Sequence, residues 1–505
     1  MLGRCLIALA LAGALGAAEI SPLASSTSEF VRAQAASAVR WQPWNEATLA
    51  RARTAGRPIY VFVGTPLSEL TRATIQQTFS SEKTVAWLNE NFCCVLVDAD
   101  TQPDVAAYAQ HFLASVKQLR GWPAHLWLTP ELQPYDGANY LPPSEEWGKP
   151  GYLKAARAAL EAWTIDPARA RALAGEAMTM MKPVPLSAAS KVDRNAKLKS
   201  ATAAWVAAAD AQHGGFGEAP KQPEPELIRF LLAGDNAARE VALKAARALV
   251  AGAVRDPVDG GFYRRAVDEA WKEPYRQKIL SDQARIAFAL LEAADRGKDD
   301  TLRAAALGAL DFALKELRLP DGSFAAALDG TLEENADPAK RPNFVRVGRA
   351  TIAAQGLLAA ALQRTGEKRF TTVATQLASK LSDQLRTSTT ATATDYLAVA
   401  LACRYVGDVN KQEDMVLVAN QLFLDPAGGV YFATSGKLPL GIPLRVPVLA
   451  HTPSAEVLAL LAGTEIRLEE KGDRTGRLLQ RALLAAIEYD EQPPGDVLLA
   501  LGMGR

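Results

Sequence analysis

Ser68 and Thr71 stand at the spacing of a reactive dithiol, directly after an apolar strand-like run from Pro58 to Val63 and a turn at Gly64. The stretch from Gly64 to Phe79 reads as a turn opening into a helix. A helix N-terminus is a setting that lowers a thiol's pKa, and thiol–disulfide exchange needs a thiolate as the attacking group. Here both positions carry hydroxyls, which ionise far above working pH unless a base activates them. Glu69 is not such a base by sequence alone, because adjacent helical residues do not face each other. Ser68 therefore reads as the cap of the helix that follows. Cys93 and Cys94 are neighbours in a strand-like run, so they point to opposite faces. With Cys403 they form an odd set with no C-x-x-C, and they read as buried structural thiols.

The second group of reactive types lies around glycine turns further along. Asp259, Asp268, Glu269 and Glu273, with His213, are the acids and base nearby. Hydrolysis of a glycosidic bond needs paired carboxylates, and epimerisation needs a pair of general bases such as histidines. Phe216, Phe262, Tyr263, Trp271 and Tyr275, with Arg264 and Lys278, are the types that would form a cleft for a carbohydrate or other polar ligand. The same aromatics would serve equally to pack loop against helix. His111, His125 and His451 are isolated, so no metal site and no cofactor is indicated.

The elements that must position these residues fall into two regions. Strands are expected at Pro58–Val63, Cys93–Val97 and Ala124–Leu128, alternating with helices over Leu67–Phe79, Thr84–Asn91 and Pro103–Ala114. That alternation predicts an α/β sheet. Pro123, before the third strand, marks its edge or a cis bond. The boundaries are a signal peptide at 1–18, a flexible leader at 19–37, the α/β domain at 38–165, a connector at 166–195 and a helical domain at 196–505. Met178, Met180 and Met181, near the connector's Lys182-Pro183-Val184-Pro185, read as packing residues. The signal reading rests on Arg4, the apolar run to Leu15 and the Gly16-x-Ala18 pattern, and it implies an exported protein, periplasmic or secreted. Formal net charge is zero, which removes the basic excess that nucleic acid or an anionic membrane would select. No later run reaches the roughly 18 apolar residues of a membrane span.

From residue 196 the chain is rich in Ala and Leu, and Leu307, Leu310, Leu314 and Leu317 share one helix face. A glycine motif recurs as His213-Gly214-Gly215-Phe216, Asp259-Gly260-Gly261-Phe262, Asp321-Gly322-Ser323-Phe324 and Ala427-Gly428-Gly429-Val430. A period of roughly 50 residues, with one interval doubled, marks an internal repeat of helical hairpins. Such hairpins, packed in a ring, make an α/α toroid with the glycine loops at one end.

In order and spacing the chain resembles the spermatogenesis-associated protein 20-like family. The first domain is similar at Trp41, Pro43-Trp44, Gly64, Phe79, Leu88-Asn89-Glu90-Asn91-Phe92, Val97-Asp98, Pro103-Asp104, Gly121-Trp122-Pro123 and Leu128-Thr129-Pro130. The second is similar at Gly214-Gly215-Phe216-Gly217, Ala219-Pro220-Lys221, Gly260-Gly261-Phe262, Val267-Asp268, Trp271, Pro274, Lys278, Leu280, Asp282-Gln283-Ala284, Asp395-Tyr396 and Pro453-Ser454. The resemblance implies a thioredoxin-like α/β domain followed by an all-α six-hairpin, glycosidase-like (α/α) toroid. It also carries Asp282 over as a cavity-lining acid, four residues from Lys278 on one helix face, or paired with it across that face.

This chain departs from the family where its chemistry would be. The Cys-His-Trp-Cys-His motif falls on Ser68-Glu69-Leu70-Thr71-Arg72. Phe-His-Arg reads Phe262-Tyr263-Arg264, and Pro-His-Phe-Glu-Lys reads Pro274-Tyr275-Arg276-Gln277-Lys278. The expectation is a non-redox binding or scaffolding protein with a ligand cavity in the toroid. The ligand set is Phe216, Phe262, Tyr263, Arg264, Trp271, Tyr275, Lys278 and Asp282, and Ser68, Thr71 and Pro123 are the relict redox positions. The alternatives are a glycoside hydrolase or sugar epimerase using Asp268 and Asp282, and thiol–disulfide or chaperone-like work by the first domain.

Overall fold

The structure is a computed structural model that describes residues 21–182, 193–330, 342–424, 431–432, 442–444, 446 and 498–499. The first domain contains α1 (Glu29–Ala33), β1 (Gln42–Pro43), α2 (Glu46–Ala55), β2 (Ile59–Gly64), α3 (Glu69–Ala73), α4 (Glu82–Asn91) and β3 (Cys93–Asp98). It continues through α5 (Pro103–Lys117), β4 (Ala124–Leu128), β5 (Pro134–Ala138), α6 (Tyr152–Ile165) and α7 (Pro167–Met180). The five strands form one sheet in the order β1-β3-β2-β4-β5. β2 and β3 run parallel, with Ile59 opposite Cys93 and Gly64 opposite Asp98, while β4 and β5 add on antiparallel. Alternate residues of a strand face opposite sides, so Val61, Val63, Val95 and Val97 enter one core with α2 and α5. Tyr60, Phe62, Cys94 and Leu96 enter the other, with α4 and α6.

Two boundaries differ from expectation. The leader at 19–37 is not a free segment from residue 21 on. Leu23 and Val31 are buried, and Ser28 caps α1 while donating a 2.6 Å hydrogen bond to Asp98. The connector at 166–195 begins with a regular helix, α7, whose Ala170 and Ala174 pack into the first domain's core. Both segments look unstructured in sequence because they are Ala- and Ser-rich, and small residues give a weak periodic signal. Of the methionines, Met181 is buried and Met180 is exposed.

The helical domain contains α8 (Arg194–Ala207), α9 (Pro225–Leu232), α10 (Asn236–Ala251), β6 (Gln277–Ile279), α11 (Leu280–Gly297), α12 (Asp300–Phe312), β7 (Ala325–Asp329) and β8 (Val345–Arg349). It continues with α13 (Ile352–Arg364), α14 (Lys368–Thr387), α15 (Ala393–Val406) and α16 (Val409–Phe423). α9 packs on α11, α11 on α13 and α13 on α15. These helices are buried nearly all round, as inner helices must be. α8, α10, α12, α14 and α16 form the outer layer, each burying one stripe. This is the paired-helix packing of an α/α toroid. The fourth glycine turn, His451 and Pro453-Ser454 lie outside the described residues. Outer helices start on aspartate caps, Asp193, Asp235, Asp299 and Asp408, each accepting a backbone N–H of the first turn.

The glycine turns follow the outer helices and are built alike. Short bridges pair Ala209 with Phe216, Arg255 with Phe262 and Arg318 with Phe324. In the first two, an aspartate sits four residues before the glycine pair and folds back on the turn. Asp210 accepts the amides of Gln212 and His213, and Asp256 accepts that of Val258. Each carboxylate is then met by a fully buried lysine, Lys221 on Asp210 and Lys278 on Asp256. Lys278 Nζ lies 2.7 Å from both Asp256 and Asp259, over the rings of Tyr263, Phe312 and Phe344. Gly260 takes φ +78°, and a side chain at Gly261 would strike the Phe312 ring at 2.6 Å.

This arrangement corrects the expectation for Lys278. It sits on β6, not on the helix that carries Asp282, and it pairs with Asp256 and Asp259. It has no exposed surface. Burial works to raise the Asp256 carboxyl, but hydrogen bonds from Lys278, the Val258 amide and Tyr263 hold it below its ordinary value. Lys278→Met leaves two carboxylates without their cation. It is expected to destabilise the helical domain by about 3–5 kcal/mol, read as a lower urea midpoint. Within-error stability would show the cage to be dispensable.

In the first domain His125 is fully buried, its Nδ1 2.6 Å from the Tyr60 hydroxyl, stacked among Tyr60, Phe62, Trp127 and Tyr152. Burial lowers its pKa from 6.5 to about 3. Between those values the unfolded chain binds a proton that the native state refuses, so stability falls as pH drops through that window. A Tyr60→Phe/His125→Phe double variant removes both polar atoms together. Its stability should depend less on pH below 6.5, by up to about 1.4 kcal/mol per pH unit, measured by urea denaturation at a series of pH values.

Candidate functional site

The turn expected to hold a dithiol is assembled from β2, α3 and the loop before β4. Ser68 is the N-cap of α3. Its hydroxyl accepts from the Thr71 amide and donates to the Trp122 carbonyl, 3.3 Å away. Thr71 is fully buried against Gly64, where a β-carbon on the glycine would lie 2.5 Å from the threonine methyl. The Trp122–Pro123 bond is cis, and Gln110 holds the adjoining Gly121 through both its N–H and its carbonyl. Neither hydroxyl has a base within hydrogen-bond reach in this geometry, so the turn cannot carry out nucleophilic chemistry. Cys93 and Cys94 lie on β3, and burial pushes both thiols above their ordinary value, away from thiolate. Among the described residues every cysteine is free. Below the turn, burial and then the Asp98 charge raise Asp100 to about 7, against a hydrogen bond from Thr65.

The same turn docks on the helical domain. Gln277 Nε2 donates to the Leu67 carbonyl at 3.0 Å and to Asp329 at 2.7 Å. Arg72 reaches the fully buried Asp329 at 3.1 Å, and Tyr275 donates to Glu69 at 2.7 Å. Gln277 Oε1 accepts from Arg264 Nη1 at 3.1 Å. Tyr275 therefore serves an inter-domain contact. Its phenol is pushed up to about 12 by burial and the Glu69 hydrogen bond.

The inner helices begin at the end where the glycine turns lie, and their first turns carry charge. On α9 and α11, Arg285 grips Glu226 through two hydrogen bonds and reaches Asp282 at 3.3 Å. Burial raises the Asp282 carboxyl, against the pull of Arg285 and then Arg264, with Glu226 adding to the rise. Asp282 and Arg285 stay partly exposed, while Glu226 is buried. The corresponding turns of α13 and α15 are occupied differently. Gln355 bonds the Ala350 carbonyl, and Asp395 closes a capping box with Thr392 and accepts the Ala353 amide.

Of the expected ligand residues, Arg264 acts electrostatically on Asp282, and most of the others are buried. Phe216, Phe262 and Trp271 are buried. Phe216 packs on Trp205, the Phe262 backbone is clamped by Gln283, and the Trp271 indole donates to the Gly214 carbonyl. Tyr263 is buried too and donates to Asp256. In this structure these aromatics pack the glycine turns, each buried and engaged by a neighbouring turn or helix. Asp268 accepts the amides of Ala270, Lys272 and Glu273. Those bonds hold it below its ordinary value against burial, which makes it a poor proton donor. The sequence reading missed Glu226, Arg285, Gln277, Asp329 and Arg72. For the loop lysines there was a usable signal, the repeated aspartate four residues ahead of Gly-Gly-Phe at Asp210 and Asp256.

Residues 21–182 match the family model Thioredox_DsbH, described as a protein of unknown function, DUF255. Mouse spermatogenesis-associated protein 20 is 27% identical over 325 residues, 61% of this chain and 41% of that protein. The human protein is 28% identical over 60% of this chain and 40% of its own length. The chain thus spans about two fifths of the curated relatives it matches. In fold it is similar to the cellobiose 2-epimerase of Bacillus thermoamylovorans, at 12% identity and TM-score 0.47 over 61% of this chain and 97% of that one. It is also similar to a GH76 alpha-mannanase of Bacteroides thetaiotaomicron, at 9% identity and TM-score 0.42 over 62% and 95%. The matches bear out the resemblance read from the sequence: the chain is similar to spermatogenesis-associated protein 20 over about three fifths of its length, and its residues 21–182 carry the Thioredox_DsbH match.

Proposed function

We propose that the protein is an exported, non-redox binding protein whose ligand is a small polyhydroxylated molecule, a saccharide, held at the mouth of the helical domain. The observation that carries this reading is the Asp282–Arg285–Glu226 cluster on the first turn of α9 and the first two turns of α11. A planar guanidinium fixed by one carboxylate, with a second carboxylate partly exposed beside it, offers a donor and an acceptor side by side, the pattern that vicinal hydroxyls satisfy. Asp282→Asn and Arg285→Ala are each expected to weaken binding of a mono- or disaccharide at least tenfold in calorimetric titration, with the thermal transition retained. Unchanged affinity in both would move the site elsewhere.

A second reading, catalysis on the same saccharide, is favoured by the position of Asp282 beside Arg285 and by the direction in which burial moves its carboxyl, upward, which is the direction a general acid needs. Incubation with the bound disaccharide, followed by NMR of the anomeric signals, separates the two. An unchanged spectrum supports binding alone, and a new anomeric signal lost in Asp282→Asn supports catalysis. For the first domain, no reduction of insulin disulfides is expected, and any turnover would revive a redox role. Export rests on the N-terminal pattern through Ala18, outside the described residues, and predicts a mature chain beginning at residue 19 by intact mass.

A further inference from the structure

The polar residues of the mouth do not end inside the helical domain. Asp282 adjoins Gln283, whose side chain clamps the backbone N–H and carbonyl of Phe262, two residues before Arg264, and the Arg264 charge acts on the Asp282 carboxyl. Arg264 Nη1 donates to Gln277 Oε1 at 3.1 Å, Gln277 Nε2 donates to Asp329 at 2.7 Å, and Asp329 meets Arg72 of α3 at 3.1 Å. We propose that the first domain is part of the ligand site: the Leu67–Arg72 turn forms one wall of the mouth, and Arg72 is a positioning residue that holds Arg264 against Asp282 through Asp329 and Gln277. This rests on the reading of that mouth as the saccharide site.

Three features make the link directional. The Gln277 amide can serve Leu67, Asp329 and Arg264 together in one orientation only, nitrogen toward the first domain and oxygen toward Arg264. Asp329 has no exposed surface, so its charge needs cations from the protein, and Arg72 supplies one from across the domain boundary. The two surfaces also approach closely elsewhere. Tyr275 reaches Glu69, and a β-carbon on Gly348 would lie 3.4 Å from Pro66. Four of the positions at which this chain departs from the two motifs lie at this contact: Tyr275 meets Glu69, Gln277 meets the Leu67 carbonyl, and Arg72 meets the Asp329 that Gln277 also holds. What looks in sequence like two separate degenerate sites is one continuous polar surface shared by both domains.

The test uses the full chain and two measurements. In the first, without ligand, thermal midpoints are compared for wild type, Arg72→Met, Asp282→Asn and the double variant. Membership of one connected polar network predicts non-additivity of at least about 2 °C, with at least half of the Arg72→Met loss recovered in Arg72→Lys. Additive shifts overturn the proposal. In the second, the disaccharide that binds wild type is titrated into Arg72→Met at several pH values. At least tenfold weaker binding and a shifted pH profile are expected, and unchanged affinity with an unchanged profile overturns it. A wild-type protein that binds no saccharide refutes the reading of the mouth and leaves the thermal cycle to decide the coupling of Arg72 to Asp282.

Discussion

A lysine with no exposed surface must find its counter-charges inside the protein, and that requirement organises the helical domain. Lys278 is surrounded by Asp256, Asp259 and three aromatic rings, and Lys221 repeats the device on Asp210. Removing either partner from such a pair strands a charge where water cannot reach it. Each pair therefore locks a glycine turn to the strand or loop that leads into the next inner helix. Because β6 runs directly into α11, the Lys278 cage also fixes where α11 begins. It thereby places Asp282 and Arg285 at the mouth.

The chemistry of the chain is consequently spent in two ways. Most acids and bases that looked reactive in sequence are absorbed by architecture. Asp268 binds backbone amides and Asp259 binds lysine, and two acids not singled out in sequence as reactive, Asp395 and Asp256, do the same. A smaller set stays at the open end of the inner helices, where Asp282 keeps part of its surface in solvent beside Arg285, which Glu226 fixes in place. The α3 turn adds a third group to that end, contributed by the other domain.

The architecture was legible in sequence where patterns are periodic or local. Alternating strands and helices, the Ser68 cap, the Pro123 position and the recurrent glycine turns all follow from short-range rules. The α1 and α7 segments were not legible, since alanine-rich stretches carry little amphipathic contrast and their burial depends on distant strands. The site was legible only in part. Asp282 and Arg264 could be singled out, but the partners that define their environment are remote in the chain, Glu226 through α9 and Arg72 through the other domain. The buried aromatics were ambiguous for the same reason. Composition says that a ring is present, and only packing says which side of a turn it occupies.

The free cysteines have a consequence for how the protein is made. Cys93, Cys94 and Cys403 stand apart from any cross-link, and burial keeps their sulfurs protonated. The native connectivity of the described residues is thus complete without an oxidant, and no sulfur is poised to mispair with a passing disulfide. Over these residues the covalent structure is the same in an oxidising or a reducing medium, and the fold there needs no redox partner to complete it.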